Sequence, residues 1–297
     1  MQKILQQYLL IIAMVIGITL YKPLSHLFAI IPYSLAVMLF ITYTRISWVD
    51  IHLSKFHYLL LSIQYIGSIA VYLLLLPVNR ILAQAALMCI LAPTATSAPV
   101  VAGILGGSIS TVASYSIISN LSTAFITPFI LTFIGNSNET APFFPTFWYI
   151  FQRVMPVLIL PFAAAITLKK ISPKAHEKIR SAQIVSFYLW GITLTIVIAN
   201  VTRFVVAQGS DNYLLEILIG ISALIICLLQ FFTGRKIGFK FDKTIAGGQG
   251  LGQKNTVLAI WMTQAYLNPI ASLGPGLYAL WQNLVNSYQI WKKQKEE

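Results

Sequence analysis

The stretch GGQGLGQKN, Gly247 to Asn255, interrupts a chain that is otherwise strongly apolar. Four glycines, three amides and one lysine fall within these nine residues. One apolar run ends near Phe232 before it, and another begins at Thr256 after it. Glycine weakens a helix interior by about 1 kcal/mol relative to alanine, so the run invites a break. In lipid, a broken helix survives only where protein or a cavity takes up the freed backbone groups. A lysine at mid-membrane costs at least about 2.5–3.5 kcal/mol on insertion scales and needs a partner or a wet cavity. The competing reading is a lysine that snorkels to an interface.

Composition favours the membrane. The 297 residues are 57% hydrophobic and only 9% charged, with mean hydropathy +0.77, whereas soluble domains carry about 25% charged residues. The net charge of +12 does not point to nucleic acid, because the basic residues sit in short clusters between apolar spans. Cys89 and Cys227 both lie in apolar runs and imply no disulfide framework. His26, His52, His57 and His176 fall in connecting segments or at span ends, so no metal cluster is expected, and no cofactor motif is present. No small-residue cleavage pattern follows the first apolar run, which reads as a span and not as a removed signal peptide.

Ten spans are expected, at about 7–21, 28–44, 57–77, 80–105, 109–133, 147–168, 183–206, 213–233, 244–268 and 272–291. Those at 80–105 and 244–268 are interrupted, and Gly106-Gly107 reads as a tight turn. With the N-terminus inside, fifteen of the twenty basic residues fall on inner segments, while Lys22, Arg80, Arg153 and Arg203 fall outside. That bias predicts both termini in the cytoplasm and a chain integral to the cell's cytoplasmic membrane. Asn138-Glu139-Thr140 matches a glycosylation sequon on the outer side. The basic loop Ala175 to Gln183 and the C-terminal tail read as solvated faces that attract membrane lipid headgroups.

The two halves are alike: repeat one covers 1–134 and repeat two 147–292. Each has five spans, and in each the fourth is broken, by Pro93 and Pro99 in one and by the glycines in the other. An odd number of spans inverts the second half. Paired broken helices in inverted halves point to a secondary transporter, with its site at the breaks.

At the first break, LAPTATSAPVVAGILGG (Leu91 to Gly107), the prolines remove N–H groups. Thr94, Thr96 and Ser97 offer hydroxyls, either to a ligand or only to the freed backbone. At the second, Gln249, Gln253 and Asn255 flank Lys254. The eight carboxylates all fall in loops, at span ends or in the tail, so Lys254 is expected to pair with a dipole, a water or the substrate. With no mid-membrane His, Asp or Glu for acid–base or metal chemistry, no enzyme is expected.

At these breaks the sequence resembles the bile acid:sodium symporter family. QKNTVLAIW (Gln253 to Trp261) and NPIASLGPGLYALWQNLVNS (Asn268 to Ser287) resemble that family's penultimate and last helices. APTATSAPVV and ISNLSTAFITP (Ile118 to Pro128) resemble its broken fourth helix and its fifth, and Gln64 in SIQYIGS resembles the glutamine that its third span gives to an ion site. The resemblance implies an all-α integral membrane fold, with ten helices in two inverted five-helix repeats whose broken helices 4 and 9 cross. It implies one transporter unit over 1–297, with panel helices at about 7–44 and 147–206 and core helices at about 57–133 and 213–291. It also implies an organic anion substrate, of the bile acid, keto acid or pantoate kind, commonly carried with sodium.

Several positions depart from the family pattern. Gly250 stands at the family's glutamate position and Lys254 at its glutamine position, before the shared Asn255. Ala98-Pro99 stands where the family has Ser-Asn, Val112 replaces a serine, and Ser116 replaces a threonine. A hard cation wants several oxygen ligands, preferably with a carboxylate, and a lysine in their place repels it. The expected site residues are therefore Gln64, Thr94, Thr96, Ser97, Pro99, Ser116, Gly250, Gln253, Lys254, Asn255 and Thr256. The expected function is sodium-independent organic-anion transport in which Lys254 replaces the cation, and proton coupling through Lys254 is a further expectation. The alternatives are a sodium-coupled symporter using the residual ligands, or a transporter-like receptor or binding protein. Phe151, Gln152 and Arg153 stand near the start of the sixth span, where a substrate would meet them from the outer side, but Arg153 reads first as an interfacial anchor. Substrate identity and oligomeric state stay open.

Overall fold

The computed structural model describes residues 2–45, 52–135, 142–208 and 213–296. The sequon at Asn138 and the carboxylates Asp50, Glu139 and Asp211 lie outside these residues. The fold is all-α. Six of the described helices are long and apolar enough to cross a membrane: α2 (Tyr21–Tyr43), α3 (Lys55–Leu75), α6 (Ile109–Gly135), α7 (Phe143–Ile171), α9 (Gln183–Gln208) and α10 (Tyr213–Phe239). Around them lie α1 (Gln2–Thr19), the half-helices α4 (Arg80–Leu91) and α5 (Ala98–Ile104), the short α8 (Pro173–Ser181), the half-helices α11 (Thr244–Gly252) and α12 (Thr256–Tyr266), and α13 (Leu273–Glu296). The first helix starts earlier than its apolar run suggests, and α2 follows after a single turn residue at Leu20.

The helices sort into two groups by packing. In one, α1, α2 and α7 pack against one another or against α9. In the other, α3 packs on α4, α4 and α11 pack on α10, and α13 packs on both α4 and α10. The α10–α11 hairpin is tight because Gly234 and Gly247 let the two backbones touch; a Cβ on either would collide with the other's carbonyl. The groups meet where α6 packs on α7 and where α12 packs on α9 and α2.

Local sequence sets the helix ends. The Asn79 side chain accepts from the N–H groups of Ile81 and Leu82 and starts α4. Ala92 leaves the helical region, and Pro93 follows with no N–H to continue α4. Helix α5 stops in a Schellman turn, with Gly107 N bonded to Ala102 O at 2.7 Å and Gly106 N to Gly103 O at 3.0 Å. Gly106 has φ +83, a conformation that suits glycine. Asn255 caps α12 by accepting from Leu258 N at 3.2 Å.

One apolar cluster binds the two groups together. It joins Ile31, Leu35 and Leu39 of α2, Val154 and Leu158 of α7, and Leu194 and Val197 of α9 to Val257 through Met262 of α12. The polar tie on this side is Asn200 Nδ2 of α9 donating to Gln264 Oε1 of α12 at 2.8 Å, and Asn200 is almost wholly buried.

Candidate functional site: two broken helices that cross

The two breaks meet. Thr94 and Lys254 face each other as an antiparallel bridge. Ala95 N donates to Gln253 O at 2.9 Å, and Asn255 N donates to Pro93 O at 2.8 Å. Two extended residues from distant parts of the chain thus form a one-pair ladder inside an all-helical protein, and each satisfies polar groups that the other's broken helix has freed.

The outward edges of this ladder are also paired. Thr94 N donates to Ser119 Oγ at 3.2 Å, and Thr94 O accepts from Asn120 Nδ2 at 3.1 Å, both from α6. On the other edge one side chain does both jobs. Gln282 of α13 accepts from Lys254 N at 2.8 Å and donates to Lys254 O at 3.2 Å. The side chains at the bridge then reach across to the opposite half-helix. Thr94 Oγ1 donates to Gly250 O near the end of α11 at 2.7 Å, and Lys254 Nζ donates to Ile90 O near the end of α4 at 2.9 Å.

The last four carbonyls of α4 illustrate the accounting. Met88 O accepts from Ala92 N. Cys89 O accepts from Gln230 Nε2 at 3.0 Å, Ile90 O from Lys254 Nζ, and Leu91 O from Gln64 Nε2 at 2.9 Å. These are the groups that a continued helix would have satisfied. A cation also suits this end, because the helix dipole puts negative partial charge there. Lys254 is 1% exposed and therefore does not snorkel to an interface. Its partner is a peptide dipole.

Two tyrosine–glutamine pairs flank the crossing. Tyr115 OH of α6 donates to Gln64 Oε1 of α3 at 2.9 Å. Gln230 Nε2 of α10 donates to Tyr278 OH of α13 at 3.2 Å, and Tyr278 OH donates to Gly252 O at 2.8 Å. The space beside Gly250 is already occupied: a Cβ there would meet Tyr115 Cδ1 at 3.0 Å and Leu60 Cδ1 at 3.3 Å.

A cavity of about 830 Å³ reaches the crossing from the end of the molecule that carries Arg45 and Arg180. Its floor is the crossing. One wall is polar and comes from the breaks, α6 and α13; the other is α2 and α9, where Met38, Tyr43, Phe187 and Trp190 face the space. Of the residues expected from sequence, Thr96, Ser97, Pro99, Ser116, Gln253, Lys254, Asn255 and Thr256 line it. Gln64, Thr94 and Gly250 do not; they lie behind the crossing and hold it together. Arg153 is outside the cavity, with its guanidinium 4.0 Å from the Tyr149 ring centroid. Sequence reasoning missed Gln282, Tyr115, Gln230 and Tyr278. Their side-chain polarity did not single them out, since α6 and α13 carry many other polar residues.

Residues 65–208 match the model of the Sodium Bile acid symporter family. The matched part includes the first break and helices α7 and α9, and it ends before the second break. No curated protein matches the chain. With helices that can cross a membrane and a broken-helix crossing at the floor of a cavity, the chain is similar over residues 65–208 to the sodium bile acid symporter family, a family of membrane transporters.

Proposed function

We propose that the protein is a secondary transporter of an organic anion that works by alternating access without sodium, Lys254 standing in for the cation. The observation that carries this reading is the Lys254 Nζ contact with Ile90 O at the end of α4. A metal ion in such a core neutralises the carbonyl ends of crossing half-helices. Here an ammonium does so, and it is covalently part of the chain. A sodium ion about 4 Å from it would meet repulsion of about 4 kcal/mol at an effective dielectric of about 20. The room for a carboxylate at position 250 is taken by Tyr115 and Leu60.

Ten spans in two inverted repeats are part of this proposal. The internal symmetry of the crossing supports them. Thr94 corresponds to Lys254, the Ser119–Asn120 pair to Gln282, and the Gln64–Tyr115 pair to Gln230–Tyr278. In the same reading α1, α2, α7 and α9 form the panel and the remaining spans the core. The bias of Lys and Arg puts the termini and the cavity mouth at Arg45 and Arg180 in the cytoplasm, so the described state faces inward. The volume of about 830 Å³ is in the usual range for small-molecule sites.

The test is uptake into proteoliposomes of a labelled carboxylate first identified by thermal-shift screening. The rate is expected to be the same with an inward sodium gradient as with potassium on both sides. Clear stimulation by sodium overturns the proposal. If the anion binds but never exchanges in counterflow, the protein is a receptor of transporter-like fold.

A further inference from the structure

We infer that the turn joining α10 to α11 is a docking surface for an anionic phospholipid, with Arg235, Lys236 and Lys240 holding the headgroup phosphate and Phe239 seated at the acyl boundary. The inference concerns the membrane around the protein, so it stands or falls apart from the transport reading.

Length places the turn. Helix α10 is apolar and long enough to cross a membrane, and from Tyr213 to Phe232 every exposed residue on it is Tyr, Leu, Ile or Phe. Leu214 to Phe232 covers about 27 Å at 1.5 Å per residue, close to the ~30 Å of a hydrocarbon core. In the next turn the exposed residues change character and become Arg235 and Lys236, followed by Phe239 and Lys240. Leu214 to Phe239 covers about 37 Å, still within the roughly 40–45 Å of a bilayer with its headgroups. The turn therefore lies in the headgroup layer and not in bulk water.

Charge names the partner. Residues 235–243 hold four basic side chains and one acid, Asp242. Lys243 is only half-buried and sits over the buried Phe56, its Nζ 5.6 Å from the ring centroid. Arg235, Lys236 and Lys240 are exposed, and none of them pairs with a carboxylate among the described residues. A basic cluster at the end of a span attracts anionic headgroups by about fivefold per residue. Phe239 is 75% exposed, and an aromatic ring is at home at the headgroup level. Cations and an exposed ring in one turn suit a lipid better than a soluble phosphate, which has nothing to lay on the ring.

The turn is also stiff. Lys243 N donates to Gly238 O at 2.8 Å, and Gly247 N donates to Lys243 O at 2.8 Å. A Cβ on Gly248 would meet Arg235 Cγ at 2.7 Å, so the Arg235 stem lies against α11. A headgroup held here thus fixes the hairpin that carries the second break.

The test equilibrates the purified full chain in micelles with equal amounts of phosphatidylglycerol and phosphatidylcholine and counts the retained lipids by mass spectrometry. The wild type should enrich phosphatidylglycerol severalfold, and high potassium chloride should weaken the enrichment. Lys236→Gln/Lys240→Gln should lower it by about fivefold or more. Both lysines are exposed, so this variant should keep the wild-type melting temperature in micelles without lipid. Lys236→Arg/Lys240→Arg should restore the enrichment. Lys170→Gln/Lys174→Gln removes the same charge from another exposed segment and should keep most of it. Excess glycerol 3-phosphate at equal ionic strength should leave it unchanged. The inference is overturned if the turn variant enriches phosphatidylglycerol as the wild type does, or if the Lys170/Lys174 variant loses as much. Displacement by glycerol 3-phosphate overturns it in favour of a free-phosphate site.

Discussion

Thr94 and Lys254 are 160 residues apart in sequence and form a single antiparallel bridge, and each sends its side chain to a carbonyl near the end of the other's half-helix. The exchange is reciprocal. Each break leaves carbonyls that the other satisfies, Ile90 O and Pro93 O in one and Gly250 O and Gln253 O in the other. The crossing is therefore one cooperative unit, and its weak points can be named.

Lys254 is the first. Lys254→Met keeps most of the side-chain volume but leaves Ile90 O without its donor. An unpaired buried group costs about 1–3 kcal/mol, so the purified variant should melt measurably below the wild type. Lys169→Met, at an exposed position, should not. Equal melting of all three proteins would show that the ammonium contributes nothing to the crossing.

Gln282 is the second. It pairs both backbone groups of Lys254, whereas the neighbouring Asn283 bonds to Ala279 O within its own helix. Gln282→Leu should lower the melting temperature more than Asn283→Leu, since it strands the buried Lys254 N–H, at a cost of about 1–3 kcal/mol, and leaves Lys254 O with Thr256 N alone. The two melting curves settle this by their order.

Gly250 gives a prediction about packing. A side chain there must displace Tyr115, whose hydroxyl also holds Gln64. Gly250→Glu alone should destabilise the protein and should not confer stabilisation by sodium. The measurement is the melting temperature of the variant in sodium and in potassium chloride.

The contact between Asn200 and Gln264 lies on the side of the molecule away from the cavity mouth and joins α9 to α12. If the two helix groups part there in an outward-facing state, Gln264→Leu should raise the population of that state. Labelling of Ser186→Cys, in the cavity wall, by a membrane-impermeant maleimide from the mouth side should then slow severalfold relative to Ser186→Cys alone. The native Cys89 and Cys227 are buried and should contribute little background. Unchanged labelling would show that the contact does not bias the state.

The sequence makes some of this legible and hides the rest for physical reasons. Pro93, Pro99 and the glycines from Gly247 mark the breaks because they disrupt helices locally. Lys254 is conspicuous because a charge inside an apolar span demands an explanation. Gln282, Tyr115, Gln230 and Tyr278 sit on continuous helices with no local signature, and their roles exist only once the two breaks are brought together. For the same reason, Gln64, Thr94 and Gly250 read as ligand contacts in sequence but lie behind the crossing in space. Ile90 could not be read at all, since its part is played by a backbone carbonyl.

The central claim is that Lys254 does permanently what a bound sodium ion does reversibly. The most direct measurement is the melting temperature of the purified wild-type chain across a sodium chloride series, against potassium chloride at equal ionic strength. An ion that binds only the folded state stabilises it by RT ln(1 + [L]/Kd), so a real site must show itself at high concentration. The account predicts superimposable curves at every concentration. A sodium-specific rise that saturates would contradict it.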